Sequence, residues 1–403
     1  MSPRLKIAVW AGIWIATRAL MAAQVGFWDN VSGVELQDVN SYEHWAAVLW
    51  DEGRMPTEES WQYPPASAFL LLIPRIGGDY GVAFVVLMLL FELAGLACLY
   101  LLAKRERRDA GVWVWLLAMP VLSVLPILRI DLVPTVIAIA ALVVIHRRPG
   151  WFGALAGVGA MVKVWPAFLL FAEWDRRRLL RSCLAALAAG VAILAIAWVV
   201  FGDQTGFLTN QGDRGLQVES VAATPWQLRQ VITGTPPPIA LRFGTIEIES
   251  GLGNALGKLL DLAAVAVLLL GAWWWWRRSA AIRGGREDLK DVVVSRDFAF
   301  TLILLFLVVS RVLSPQFMVW MVGLSAVVLS SGRTRLARPA WIVIAAVVIT
   351  SAPTAVNLVI RNLALVVAVI DASVTMALAL RERPTESPPE PARLEPLPTA
   401  DVS

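Results

Sequence analysis

The side chains best suited to chemistry in this chain sit in a few short polar runs between long apolar ones. The run Asp38-Val39-Asn40-Ser41-Tyr42-Glu43-His44-Trp45 places a carboxylate ahead of two aromatic rings, and Trp61-Gln62-Tyr63-Pro64-Pro65 follows it. A carboxylate at the mouth of a cavity can take the proton of an acceptor hydroxyl while that oxygen attacks a sugar carbon. Partial burial beside Trp45 and Tyr63 would raise the pKa of Asp38 and make it a better base near neutrality. The blander reading is that Asp38 caps the helix that follows it. Five cations, Arg18, Arg129, Lys163, Arg311 and Arg361, lie near the ends or breaks of apolar segments, where charges are costly and by default mark function. Taken singly, each could snorkel or pair locally, as Arg129 with Asp131. Taken together, they suit a phosphate, which Arg grips through two nitrogens and Lys meets as a point charge.

Such residues need a scaffold, and composition says of which kind. Of 403 residues, 58% are hydrophobic and 16% charged, with a mean hydropathy of +0.67. A water-soluble fold of this size needs more polar surface than that, so the chain reads as an integral membrane protein. The pI of about 9.3 would suggest nucleic acid only if the basic residues shared one water-facing surface, and they do not. Cys98 and Cys183 both lie in apolar runs, and His44 and His146 are the only histidines, so neither a disulfide framework nor a metal centre is indicated. Asp38, Glu43, Asp51 and Glu52 could ligate a hard cation, but their spacing matches no known calcium loop. No cofactor is expected.

Apolar stretches begin near residues 6, 79, 112, 131, 151, 182, 257, 297, 315, 339 and 358. Several are shorter than the roughly 20 residues a bilayer usually demands. Polar or Pro-containing breaks separate them at Leu128-Arg129-Ile130-Asp131, Lys163-Val164-Trp165-Pro166, Ser310 to Gln316 and Ser351-Ala352-Pro353. Irregular backbone at membrane depth is tolerated only where protein or a polar cavity surrounds it. Most of the 35 Lys and Arg residues fall in the two termini and in the loops 104–108, 147–148, 176–181, 277–296 and 333–338. The positive-inside rule makes those cytoplasmic and puts every polar break on the outer side. The expectation is therefore an all-α polytopic protein of about twelve spans in the plasma membrane, with both termini cytoplasmic.

Two outer loops are long, at about 27–66 and 202–256, and a surface helix is expected over Glu43 to Leu49. The second loop carries Asn210-Gln211-Gly212-Asp213-Arg214-Gly215-Leu216-Gln217-Val218-Glu219-Ser220, a polar run without helical periodicity that suits ligand contacts. The first apolar segment, which holds Arg18 and lacks a clean cleavage site, is not read as a signal peptide. Trp273 to Trp276 with Arg277 and Arg278 reads as an interfacial anchor. One membrane domain over 1–381 is expected, followed by a disordered cytoplasmic tail, rich in Pro and Glu, over 382–403.

Asp38, Tyr42, Trp45 and Tyr63-Pro64-Pro65 resemble the first outer loop of the actinobacterial family 87 glycosyltransferases. So do Arg129-Ile130-Asp131-Leu132-Val133-Pro134, Lys163-Val164-Trp165-Pro166, Arg214 to Ser220, and Leu313-Ser314-Pro315-Gln316 with Trp320. The resemblance spans the chain from the first segment to about residue 380. It implies a GT-C architecture in which Asp38 is the base and a polyprenyl-phosphate sugar, mannose above all, is the donor. Arg129, Lys163, Arg214 and Arg311 would then hold the donor phosphate, and Asp131, Glu219 and Gln316 the hydroxyls of sugar or acceptor. Tyr42, His44, Trp45 and Tyr63 would line the acceptor side, the acceptor being a lipid-linked or cell-envelope glycan such as a phosphatidylinositol mannoside. Glu43-His44 beside Trp45 and the few aromatics of the second loop depart from the pattern and leave the acceptor open.

No alternation of strands, Gly-rich turns and helices suggests a nucleotide-sugar site, so the donor is expected to arrive through the lipid. Two rival classes remain. A transporter of lipid-linked glycans also uses broken helices and buried cations, but it needs a path lined from both sides and usually an internal repeat. A scaffold of envelope assembly would tolerate loss of Asp38 or Arg214.

Overall fold

The computed structural model describes residues 2–31, 37–203, 214–352 and 354–382. The tail expected to be disordered falls almost wholly outside the described residues, as do Asn210 to Asp213 of the second loop. The architecture is helical, with one small hairpin.

Among the described residues, five helices are long and apolar enough to cross a membrane: Arg4–Val25, within α1 (Pro3–Val31); α4 (Tyr80–Glu106); α9 (Arg176–Phe201); α11 (Gly251–Arg283); and α15 (Ala355–Arg381). Their starts follow from side chains that satisfy orphan N–H groups. Asp79 accepts from Val82 N at 2.8 Å, Asp175 from Arg178 N at 2.8 Å, Ser250 from Gly253 N at 3.0 Å and Thr354 from Asn357 N at 3.2 Å. Their outer faces carry bare aliphatics such as Leu187, Val199 and Leu262, which belong against lipid rather than water.

Shorter apolar helices fill the interior: α5 (Ala110–Val121), α7 (Leu132–Val144), α8 (Pro149–Val162), α12 (Val292–Val308), α13 (Met318–Leu329) and α14 (Ala337–Thr350). Every residue of α13 is buried. The tightest approach is α8 on α9, where Gly153 and Gly157 lie against the Ser182 and Ala186 backbone. A Cβ at Gly153 would run into the Ser182 carbonyl oxygen, so this small-xxx-small face needs its glycines.

The expected breaks are present. Arg129 and Lys163 both adopt extended backbone, and Trp165–Ala172 continues as a 3-10 helix. The surface helix α2 (Gln37–Ala47) starts earlier than expected and runs into a π turn over Val48–Glu52. Asp38 therefore sits in its first turn rather than ahead of it. The second loop is more ordered than its sequence suggests. It holds a short helix, Thr224–Thr233, and an antiparallel hairpin of Ile239–Arg242 with Thr245–Ile248. Phe243 and Gly244 both have positive φ (50° and 69°), which matches the right-handed twist of a two-residue hairpin turn.

Two expectations about cations fail. Arg278 is no interfacial anchor: it is 4% exposed and donates to the Leu289 and Ala172 carbonyls and to Ser295 Oγ, bracketing three elements. Arg18 does not face an outer cavity either. It is buried against Glu92 of α4 and donates to the Leu116 carbonyl at 2.9 Å. A charge in the apolar interior is stable only with such a partner, and Glu92 is the one the sequence reading overlooked.

Candidate active site

Three helix breaks and the two loops converge on one cluster. At the first break, Arg129 is extended and Asp131 begins α7, so their side chains leave in different directions. Arg129 forms an ion pair with Asp38, and Asp131 turns to Lys163 instead. Two long-range pairs thus form where the sequence also allowed a local Arg129–Asp131 pair.

Asp131 is fully buried and accepts from Lys163 Nζ at 2.6 Å and from Trp320 Nε1 at 2.8 Å, both through Oδ1. Its Oδ2 meets no hydrogen-bond donor among the described residues. Lys163 Nζ also faces the rings of Phe317, Trp320 and Tyr63, at 4.4, 5.2 and 5.8 Å from their centroids. Phe317, Trp320 and Trp165 stack in series at 4.2 and 5.1 Å, which fixes the rings that cage the ammonium.

Against this cage packs the first loop. Tyr42 and Tyr63 bring their hydroxyls to 3.4 Å, and Trp45 lies edge-on to Trp61 at 5.3 Å and to Tyr63 at 5.9 Å. Burial pushes the Tyr63 phenol up to about 12, helped by the Asp131 charge, and burial also raises Tyr42. Both phenols are therefore neutral at physiological pH and can donate. His44 does not join them. It is exposed and pairs with Glu58 Oε1 at 3.0 Å.

The second loop supplies Arg214, which is 9% exposed and donates to Thr245 Oγ1 at 3.0 Å. Its Nε stands 4.0 Å from Glu247, whose other oxygen accepts from Gly215 N at 3.0 Å. The hairpin thus presents Arg214 to the cluster. Burial lowers its pKa to about 10, with Glu247 opposing, so Arg214 stays charged at neutral pH. Lys163 feels the charges of both Arg129 and Arg214, and Arg214 feels that of Arg311. The four candidate phosphate cations accordingly share one region, though Arg311 also reaches back to Asp261 at 3.0 Å.

The loop is fastened at two places. Gln217 donates to Ser314 Oγ at 2.9 Å, and its N–H meets the Arg311 carbonyl at 3.0 Å. Arg361 is fully buried and grips the Glu219 carbonyl, while Asn362 donates to the Ser220 carbonyl and to Thr224 Oγ1. Arg361 is therefore a brace for the loop rather than a cation facing the cavity. Glu219 has its carboxyl raised by burial, with Arg361 opposing. Gln316 is half-buried on the 3-10 turn Pro315–Phe317, beside the cage. Phe317, Glu247 and Trp61 were missed from sequence. The Phe-Gly pair of the hairpin turn was the one signal that could have placed Glu247.

Among the described residues, no three His, Cys, Asp or Glu side chains are grouped as metal ligands would be.

No curated protein and no solved structure matches the chain. A family model does, that of glycosyltransferase family 87, over residues 61–294. The matched stretch contains Tyr63, Arg129, Asp131, Lys163, Arg214 and Glu219, whereas Asp38, Tyr42, His44, Trp45, Arg311 and Gln316 lie outside it. It covers more than half of the chain and carries the Lys163–Asp131 pair, the hairpin and the first two breaks, and the protein accordingly belongs to glycosyltransferase family 87.

Proposed function

We propose that this membrane glycosyltransferase moves a sugar, mannose, from a polyprenyl-phosphate donor to a lipid-linked or cell-envelope glycan on the extracytoplasmic face. The observation that carries this reading is the pairing of Asp38 with Arg129 beside the caged Lys163–Asp131 pair. It sets one accessible carboxylate next to a set of cations, which is what a single displacement from a phosphate needs.

In that step the acceptor oxygen attacks C1 of the sugar while its proton passes to Asp38. The C1–O bond to phosphate breaks, and its electron pair leaves with the polyprenyl phosphate. Configuration at C1 inverts, and no covalent enzyme intermediate forms. The departing phosphate gains negative charge, which Arg129, Lys163 and Arg214 stabilise as largely buried, fixed charges. Each of these cations already carries a carboxylate partner, so an incoming phosphate must compete with it. Competition at Arg129 has a use: a phosphate that takes the guanidinium releases Asp38 to act as base. Asp131, Glu219 and Gln316 are placed to hold hydroxyls, and Tyr42, Trp45 and Tyr63 to form the wall on the acceptor side.

The charge distribution supports about twelve spans, counting the short helices and the 3-10 segment as traverses, with both termini in the cytoplasm of a multi-pass plasma-membrane protein. Lipid-linked donor and glycolipid acceptor would then reach the cluster from the outer leaflet.

The test is transfer of label from radiolabelled polyprenyl-phosphate mannose to an actinobacterial lipid extract, by purified protein in liposomes. Wild type should form a labelled glycolipid, and Asp38→Asn should not. Equal activity in both would move the base elsewhere. No transfer from mannose or from a polyprenyl-phosphate pentose would favour the transporter of lipid-linked glycans, and a scaffold role if flipping is absent as well.

A further inference from the structure

At the opposite ends of the helices from this cluster lies a second cavity, of about 370 Å³, that the reaction does not use. Tyr80, at the start of α4, stacks on Phe84, which contacts Tyr42 of the cluster. The cavity is at the other end of the same 27-residue helix, where Tyr100 and Lys104 line it, roughly 30 Å from Phe84 at 1.5 Å per residue. Lys6, Lys104, Arg107, Arg108 and Asp109 form its charged rim, and Trp10 and Tyr100 lie within it.

Local structure fixes this rim. Arg107 takes a left-handed conformation (φ 55°) that ends α4, and its N–H caps the Ala103 carbonyl. The reversal that follows carries Arg108 and Asp109 directly into α5. Lys6 of α1 closes the side by pairing with Asp109 at 2.9 Å. Four cations face one carboxylate, so the rim keeps a surplus of positive charge after that pair has formed.

The floor is aromatic and rigid. Trp10 meets Tyr100 and Trp113 edge-on, each at 6.2 Å. Trp10 is 8% exposed, and its indole N–H finds no acceptor among the described residues. That N–H is sealed from the cavity, so the indole serves as floor and not as donor. Four cations on the rim above an aromatic floor are what a phosphate ester would meet.

We propose that this cavity binds a phosphate ester, with the Lys104, Arg107 and Arg108 side chains on its oxygens and the Trp10 and Tyr100 rings beneath it. Its size suits a phosphoglycerol headgroup. The ligand is either an anionic phospholipid or a soluble phosphate ester of the same chemistry.

The experiment uses the full-length protein in detergent. Short-chain phosphatidylglycerol, the matching phosphatidylcholine, and inorganic phosphate are titrated separately, with bound ligand read by native mass spectrometry and by thermal unfolding. Saturable binding of phosphatidylglycerol alone assigns the lipid, and equal stabilisation by millimolar inorganic phosphate assigns a soluble ester. Lys104→Gln/Arg108→Gln should weaken binding roughly tenfold or more. Arg147→Gln/Arg148→Gln, which removes the same charge from another exposed turn, should leave it unchanged. Equal loss in the two double variants would mean diffuse attraction and would overturn the site. So would binding of neither phosphatidylglycerol nor inorganic phosphate.

Discussion

Asp38 of α2 and Arg129 of the first helix break form an ion pair across 91 positions of sequence, while Asp131, two residues further on, turns to Lys163. The two pairs differ in setting. The Asp38 side chain is 40% exposed, whereas Asp131 is sealed from solvent. That contrast supports the proposed roles: a base must meet an incoming hydroxyl, and a buried carboxylate that neutralises a lysine would orient it. On the proposed reading Asp38→Asn should cut transfer by about 10²–10⁴ and lower the donor KM, since the phosphate no longer competes with a carboxylate for Arg129, with thermal unfolding close to wild type. Product formation with labelled donor, measured beside a melting curve, checks both.

Breaking the buried pair should act on stability as well as rate. Lys163→Met leaves Asp131 charged and sealed, at a cost of about 3–5 kcal/mol. Adding Asp131→Asn removes the orphan charge and should recover most of the lost melting temperature without restoring transfer. Parallel unfolding and activity assays on both variants decide this, and a double variant as unstable as the single one would contradict it.

The helix α8–α9 contact offers a purely steric prediction. Gly153→Ala puts a methyl group into the Ser182 carbonyl, and α9 must move away. A loss of about 1–3 kcal/mol is expected, larger for Gly153→Val, with the donor KM unaltered if the cluster is unaffected. Gly12, which has open space around it, is the control and should accept Ala with little change.

A pH effect should arise far from the candidate cluster. Glu173, in the turn before α9, has no exposed surface, and burial pushes its carboxyl from 4.5 up to about 7. A raised carboxyl pKa in the fold gives stability that is complete below the unfolded value near 4.5 and fades as pH rises through 7. Glu173→Gln should remove that slope and raise the melting temperature above pH 7, by at most about 3 kcal/mol in stability terms. His146, 3.7 Å away, is held by burial at about 3, so it acts the opposite way: its contribution is present above 6.5 and fades as pH falls. A melting profile from pH 5 to 9 on wild type and Glu173→Gln separates the two.

Much of this was legible in the sequence for a simple reason. Apolar runs, polar breaks and basic loops are signals local to the chain, and Arg129, Asp131 and Lys163 stand at breaks that no apolar helix would choose. Partnership was not legible. Nothing in the local sequence ties Asp38 to Arg129, or Arg18 to Glu92, because packing sets those contacts across long separations. The second loop misled through its composition: its hairpin alternates weakly, and only Phe243-Gly244 hints at the turn that delivers Glu247 to Arg214. His44 was assigned to the acceptor wall for its nearness to Trp45, yet neighbours on a helix face different sides, and it points to Glu58.

The aromatic cage around Lys163 bears on how the rate should respond to temperature. An ammonium already confined by three rings and a carboxylate has little side-chain freedom left to lose when a donor arrives. Its alignment is settled once, during folding, and not again at each turnover. Widening the cage, as Phe317→Ala would, should then show itself chiefly as a more negative activation entropy in an Eyring plot, with the activation enthalpy changing less.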